Sequence, residues 1–260
     1  MSVTPDSVTE RILSQAQVPH ALEPLLAPLP DSAARRALTR AAHGEDLSRK
    51  DIIALFQAEG ATLEALLATA HALRLAQAPP FGTYVVNRNI NFTNICYNHC
   101  RFCAYSRPAS SPDAFFFGLD DIMRRAEEAT TLGATEVCIQ AGVAPQLSAP
   151  FYVKICRLIH GRFPNLHIHA FSPQEIVSAA RKSRRAIPEY LRRLQEAGLG
   201  SVPGTSAEIL DDNIRAALSP RRITAREWLD VITNAHAIGL KTTATMMYGH
   251  IEGHSHRADH

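Results

Sequence analysis

The chain has 260 residues, of which 46% are hydrophobic, and a formal net charge of +2; this is enough for one large α/β domain or two small ones with an ordinary core. Near-balanced charge removes the case for a nucleic-acid partner, which needs a concentrated basic face. No apolar run approaches the ~20 residues of a membrane span, and the N-terminal MSVTPDSVTERILSQ has no signal-peptide apolar core, so the expected location is the cytoplasm.

The first eighty residues read as helical. Thr4-Pro5 suits the N-cap and first turn of a helix running to about Ala16. Ser48-Arg49-Lys50-Asp51 resembles a capping box ahead of IIALFQ. Leu63, Leu66, Leu67, Ala70 and Leu73 fall at helical spacing and predict one apolar face. Ala78-Pro79-Pro80-Phe81-Gly82 then breaks the pattern, which predicts a helical segment over 1–80 and a main body over 81–260.

Beyond the break, short apolar strands alternate with amphipathic helices. Strands are predicted over 84–92, 136–140, 166–171, 199–204 and 241–249, and helices over 120–132, 150–162, 173–182, 188–197 and 224–238. Gly133, Gly198 and Gly239 serve as helix stops. Such repeats build a parallel sheet, which is either open and doubly wound or closed toward a barrel. Either way ligands sit at the C-terminal ends of the strands. The run Arg181-Lys182-Ser183-Arg184-Arg185 reads as a solvated surface.

Three of the five cysteines fall within eight residues, as C-x3-C-x2-C in NICYNHCRFCAY after the first strand. A disulfide framework would scatter its cysteines, so this crowding points to metal or redox chemistry. Cys96, Cys100 and Cys103 can ligate three irons of a 4Fe-4S cubane. The fourth iron is then left to chelate the amino and carboxylate groups of S-adenosylmethionine, whose sulfonium bond an electron from the cluster breaks. The competing readings are a structural zinc site with His99 as fourth ligand and a set of unliganded thiols. Phe102 would lie near the adenine in the cluster reading, or else be a plain core aromatic. Cys138, in a strand, and Cys156, in a helix, read as buried small hydrophobes.

The C-x3-C-x-aromatic-C loop resembles that of the radical S-adenosylmethionine superfamily. The segments INFTNIC, CIQAGVAP, HIHAFSPQEI, GLGSVPGTSAEILDD and TTATMMYGHIE resemble its deazaflavin and menaquinone branch, and within it the CofH family, the tyrosine-using subunit of FO synthase. The likeness runs from about residue 45 to the last residue. Pro203-Gly204-Thr205-Ser206-Ala207-Glu208 and Ala170-Phe171-Ser172-Pro173 favour CofH over a menaquinone (futalosine pathway) radical enzyme. The resemblance implies a partial (β/α) TIM-type barrel, a 4Fe-4S cluster and S-adenosyl-L-methionine. It implies hydrogen abstraction from L-tyrosine and release of an iminoacetate. The 4-hydroxybenzyl radical then adds to 5-amino-6-(D-ribitylamino)uracil, on the way to the coenzyme F(420) precursor FO. An external electron donor and a CofG-type FO synthase subunit are the implied partners. Members of the family would continue past His260 with a further strand and helix, so the barrel is expected to lack its last strand or strands, and an inactive cluster-binding fragment is the third reading.

The strand ends supply the other candidate site residues. The resemblance implies that the loop of Gln140, Ala141 and Gly142 holds the methionine amino group through its backbone; where the family has Gly-Gly this chain has Ala141-Gly142, tolerable if Ala141 keeps a negative φ. His169 and His167 share a strand face, turned either into the barrel or away. Ser172 faces the cofactor or caps the next helix. Glu208 either accepts hydrogen bonds from ribose hydroxyls or belongs to a Thr205-x-x-Glu208 capping box. Gly249 would let adenine approach closely, with His250 or Glu252 near substrate, or this is an ordinary polar loop. No catalytic acid or base is assignable from the sequence.

Overall fold

The computed structural model describes residues 14–78 and 81–260. The expected helix from Thr4 falls mostly outside the described residues; its last residues form a 3-10 turn at Gln15–Gln17. Two compact units divide the chain, one reaching to Tyr84 and including Gly253–Asp259, the other formed by Val85–Glu252 with His260.

The helical unit contains α1 (Val18–Leu26), α2 (Ala33–Ala42), α3 (Arg49–Phe56) and α4 (Gly60–Gln77), together with the C-terminal α11 (His254–Asp259). Its core is Val18, Leu22, Leu26, Leu29, Leu38, Ala42, Ala65 and Ala72. Ser48 caps α3, and Asp51 reaches back to the Ser48 N–H at 2.9 Å, completing the expected capping box. The buried face of α4 follows the expected stripe only in part: Leu66 and Leu73 pack against the core beside the buried Ala65, Thr69 and Ala72, while Leu63, Leu67 and Ala70 are exposed. Small side chains admit close approach of neighbouring helices, which suits Ala65, Thr69 and Ala72 to the centre of that face. Helix α11 packs on α3 through the Arg49–Asp259 ion pair and the stacked rings of Phe56 and His254, 6.0 Å between centroids.

In the second unit, β1 (Asn87–Ile90), β2 (Glu136–Ile139), β3 (His167–Ala170), β4 (Ser201–Val202) and β5 (Lys241–Thr242) form one parallel sheet in the order β1-β2-β3-β4-β5. The connecting helices are α5 (Leu119–Thr131), α6 (Ala149–Arg162), α7 (Pro173–Lys182), α8 (Ile187–Glu196), α9 (Asp212–Leu218) and α10 (Ala225–Ala237). The strand order never reverses. Right-handed crossovers then put every helix on the same side of the sheet, the winding of a barrel rather than of a doubly wound sheet.

Register agrees with that winding. Ile90, Val137, Ile139, Ile168, Ala170 and Val202 are buried on one face, in the core shared with the helices. The other face carries Asn89, Cys138, His169, Ser201 and Lys241 as successive partners across the sheet. A polar, half-open second face is what a barrel lumen presents. Strands β4 and β5 are shorter than expected. After Val202 and Thr242 the two chains remain joined by irregular bonds, among them Gly204 N–H to Thr243 Oγ1 at 2.9 Å and Thr245 Oγ1 to the Gly204 carbonyl at 2.8 Å.

Candidate functional site

The cysteine loop leaves the C-terminal end of β1 and is clamped before it reaches the thiols. Thr93 and Asn94 are buried polar residues. Thr93 Oγ1 donates to the Phe115 carbonyl at 2.7 Å. Asn94 bonds both the Asp113 carbonyl and the Phe115 N–H, each at 2.9 Å. The segment between these anchors is thereby tied into a loop whose two limbs pair at Cys96 N–H to the Arg107 carbonyl. His99 takes a left-handed φ of 48° and is exposed, whereas Cys100 beside it is buried.

Cys96, Cys100 and Cys103 line one cavity of about 280 Å³ together with Tyr105, Gln140, Ala141, Gly142 and Arg222. Gly142 is required by close approach: a Cβ there would lie 2.3 Å from the Ile95 carbonyl oxygen and 3.1 Å from Cys96 Cβ. Its N–H bonds the Thr93 carbonyl at 2.9 Å, docking the end of β2 against the cysteine loop. Ala141 is not among the residues with positive φ, so its methyl group carries no strain at the position where the resemblance leads one to expect glycine.

The Ala141 N–H donates to Glu175 Oε1 at 3.1 Å. Glu175 also closes a capping box with Ser172: its Oε2 accepts the Ser172 N–H at 2.8 Å and the Ser172 hydroxyl at 2.6 Å. Ser172 is therefore the N-cap of α7, the plainer of its two readings. Burial pushes the Glu175 carboxyl up to about 7, against the downward pull of these hydrogen bonds. Gln140 spans the strand ends: its Oε1 accepts Thr205 Oγ1 at 2.8 Å and its amide lies 3.4 Å from Cys138 Sγ.

Thr205 thus does not cap a helix, and the Thr205-x-x-Glu208 capping box is absent. Glu208 sits before α9 with φ 44°, and Asp211 is the cap of that helix. Its side chain is buried against two arginines: Oε1 accepts Arg222 Nη1 at 2.6 Å, and Oε2 makes no hydrogen bond but lies 3.9 Å from Arg215 Nη1. Arg215 is itself fixed by the Ser206, Ala207 and Ile223 carbonyls. Phe102 is 37% exposed and meets the cavity wall through Arg222, whose guanidinium lies 5.5 Å from its ring centre.

His169, Ser172 and Gly249 do not line the cysteine cavity. His169 Nδ1 and His167 Nε2 share the Ser201 hydroxyl at 2.7 Å each, on the lumen face; burial lowers the His169 pKa. Gly249 has φ 89°, and its N–H is held by Glu252 Oε1 at 2.7 Å. Cys156 is fully buried, its thiol pushed up to about 12 by burial. Cys138 is only half-buried, because it faces the lumen and not the core. The basic run is partnered: Arg181 pairs with Glu227, Arg185 with Glu189, and Lys182 donates to the Pro145 and Leu147 carbonyls. Arg222 and Glu175 were not singled out from the sequence. Glu175 was within reach, since Ser172-x-x-Glu175 has capping-box spacing; Arg222, in a Ser-Pro-Arg-Arg turn, carries no local signal.

Three cysteines thus line one cavity at the β1 end of a singly wound parallel sheet, and sequence comparison gives the family. Residues 90–260 match the radical SAM superfamily, and the chain belongs to that superfamily, whose members typically use a 4Fe-4S cluster and S-adenosylmethionine. Within it the chain is 46% identical over 228 residues to the FO synthase of Nocardia farcinica, covering 88% of this chain and 26% of that protein. It is 42% identical over 225 residues to the 5-amino-6-(D-ribitylamino)uracil--L-tyrosine 4-hydroxyphenyl transferase of Methanothermobacter thermautotrophicus, covering 86% and 61% respectively. The chain thus spans about a quarter of the FO synthase and about three fifths of the transferase. The fold is also that of the hydrogenase maturase HydG, with TM-score 0.62 at 14% identity over 94% of this chain and 52% of that one. No described helix is long and apolar enough to cross a membrane.

Proposed function

We propose that this chain carries the cluster- and S-adenosylmethionine-binding part of a radical transferase. The reaction joins the 4-hydroxybenzyl group of L-tyrosine to 5-amino-6-(D-ribitylamino)uracil. The observation that carries the reading is the single cavity onto which Cys96, Cys100 and Cys103 all open. Soft thiolates suit iron–sulfur chemistry. Thiolates around one zinc ion, with Zn–S near ~2.3 Å, must crowd together; a cubane holds its ligands farther apart. Three thiols lining one cavity supply the soft ligand set that a cubane needs.

When bound, the cluster supplies the electron that cleaves S-adenosylmethionine. The remaining roles belong to the chain. Gln140 and the backbone of Gly142, which border the cavity beside the thiols, are assigned to the methionine end of the cofactor. Phe102, Glu208 and Gly249 are assigned to the adenosine end. Ser172 acts through Glu175, which holds the Ala141 N–H in place. His169, with Ser201 and His167, offers the lumen a proton-accepting surface for the substrate pair. An external electron donor and a CofG-type subunit complete the proposal.

The test is anaerobic incubation of the reconstituted chain with reductant, S-adenosylmethionine, tyrosine and the ribitylaminouracil. Deoxyadenosine formation that depends on tyrosine is the expected result. Deoxyadenosine that ignores tyrosine would overturn the substrate assignment, and an intact cluster without any cleavage would leave a binding fragment instead of an enzyme.

A further inference from the structure

Among the described residues, Arg222 is the only one lining the cysteine cavity with a permanently charged side chain. Its position is set from three sides. Nη1 donates to Glu208 Oε1 at 2.6 Å, the guanidinium lies 5.5 Å from the Phe102 ring centre, and Nε donates to Cys100 Sγ at 3.1 Å. Both partners of the ion pair are largely buried, Arg222 at 15% and Glu208 at 13% side-chain exposure. In such a site charge is poorly screened, and the guanidinium is always protonated.

The geometry points to Arg222 as a positioning residue that sets the reduction potential of the cluster held by Cys96, Cys100 and Cys103, with Glu208 as its counterweight. The inference rests on the cluster reading above. Reduction adds one electron, and the extra negative charge is shared with the thiolates. A charge-assisted N–H donor on Cys100 therefore stabilises the reduced form more than the oxidised form. Glu208 acts in the opposite sense, because its carboxylate neutralises part of the charge that Arg222 brings to the sulfur. The two residues make a pair whose removal must move the potential in opposite directions, a pattern that loss of packing does not produce.

The experiment uses the full chain, reconstituted anaerobically and without S-adenosylmethionine, as wild type and as Arg222→Gln, Arg222→Lys and Glu208→Gln. Iron and sulfide analysis establishes loading, and a potentiometric titration followed by electron paramagnetic resonance reads the reduced fraction. At the potential where wild type is half reduced, Arg222→Gln is expected to show an oxidised-to-reduced ratio between about three and ten, tenfold being about 59 mV for one electron. Glu208→Gln is expected to shift at least about twofold the other way. Arg222→Lys keeps the charge without the fork, should fall between Arg222→Gln and wild type, and decides the matter if Arg222→Gln does not load. An Arg222 variant titrating with wild type, or a Glu208 variant moving in the same direction as Arg222→Gln, would overturn the inference. A wild-type chain that takes up no iron would overturn the cluster reading itself.

Discussion

Replacing Glu175 with Gln measures what a buried carboxylate costs this fold. Glu175 is 1% exposed, and its hydrogen-bond partners are the Ser172 N–H and hydroxyl and the Ala141 N–H, none of them a cation. Burial outweighs these bonds and raises the carboxyl from 4.5 to about 7. A carboxyl with a raised folded-state pKa contributes its stability fully below the unfolded value and loses it as pH climbs through about 7. At ~1.4 kcal/mol per pKa unit, that loss amounts to about 3 kcal/mol by pH 8.5. Gln keeps the shape and cannot ionise. Its oxygen can still accept the Ala141 N–H, but its nitrogen then faces the Ser172 N–H, forfeiting a cap worth about 1 kcal/mol. Relative to wild type, Glu175→Gln should be less stable by about 1 kcal/mol near pH 3.5, about equal near pH 5, and more stable by about 2 kcal/mol near pH 8.5. Urea unfolding followed by Trp228 fluorescence reads this directly. Trp228 is the chain's only tryptophan, is 5% exposed, and donates to the Thr205 carbonyl at 3.0 Å in the same unit. Stability curves that run parallel for the two proteins across this pH range would refute the reasoning.

Three further outcomes follow from the site. Gly142→Ala must push the Ile95 carbonyl away from a Cβ that starts 2.3 Å from it, so it should destabilise by about 1–3 kcal/mol and reduce iron uptake; unchanged loading would mean the loop yields freely. Arg215→Met strips the donor from the Ser206, Ala207 and Ile223 carbonyls and leaves Glu208 with one arginine, for an expected loss of about 3–5 kcal/mol in the same urea assay. Cys100→Ser should lower iron and sulfide content after reconstitution, whereas Cys156→Ala should leave it unchanged, because that thiol is fully buried in α6 and held protonated by a pKa of about 12.

What the sequence by itself determined is what a side chain does within a few residues of its own position. The Ser48–Asp51 capping box, the glycine stops at Gly133, Gly198 and Gly239, and the alternation of strand and helix are all local. So is the crowding of three thiols after β1. Only the tertiary structure decided the rest, since it turns on residues far apart in the chain. Strand order excluded the doubly wound sheet. Thr205 had a capping-box pattern but bonds Gln140, 65 residues away, because the β2 and β4 ends are brought together. The inward face of α4 centres on Ala65, Thr69 and Ala72, with Leu66 and Leu73 beside them and Leu63 and Leu67 left outside. Arg222 reaches Cys100 across 122 residues, and Glu175 reaches Ala141 across 34. Spacing in the sequence announces that the thiols will sit together; the charge and hydrogen bonds that surround them come from strand ends which only the single winding of the sheet makes neighbours.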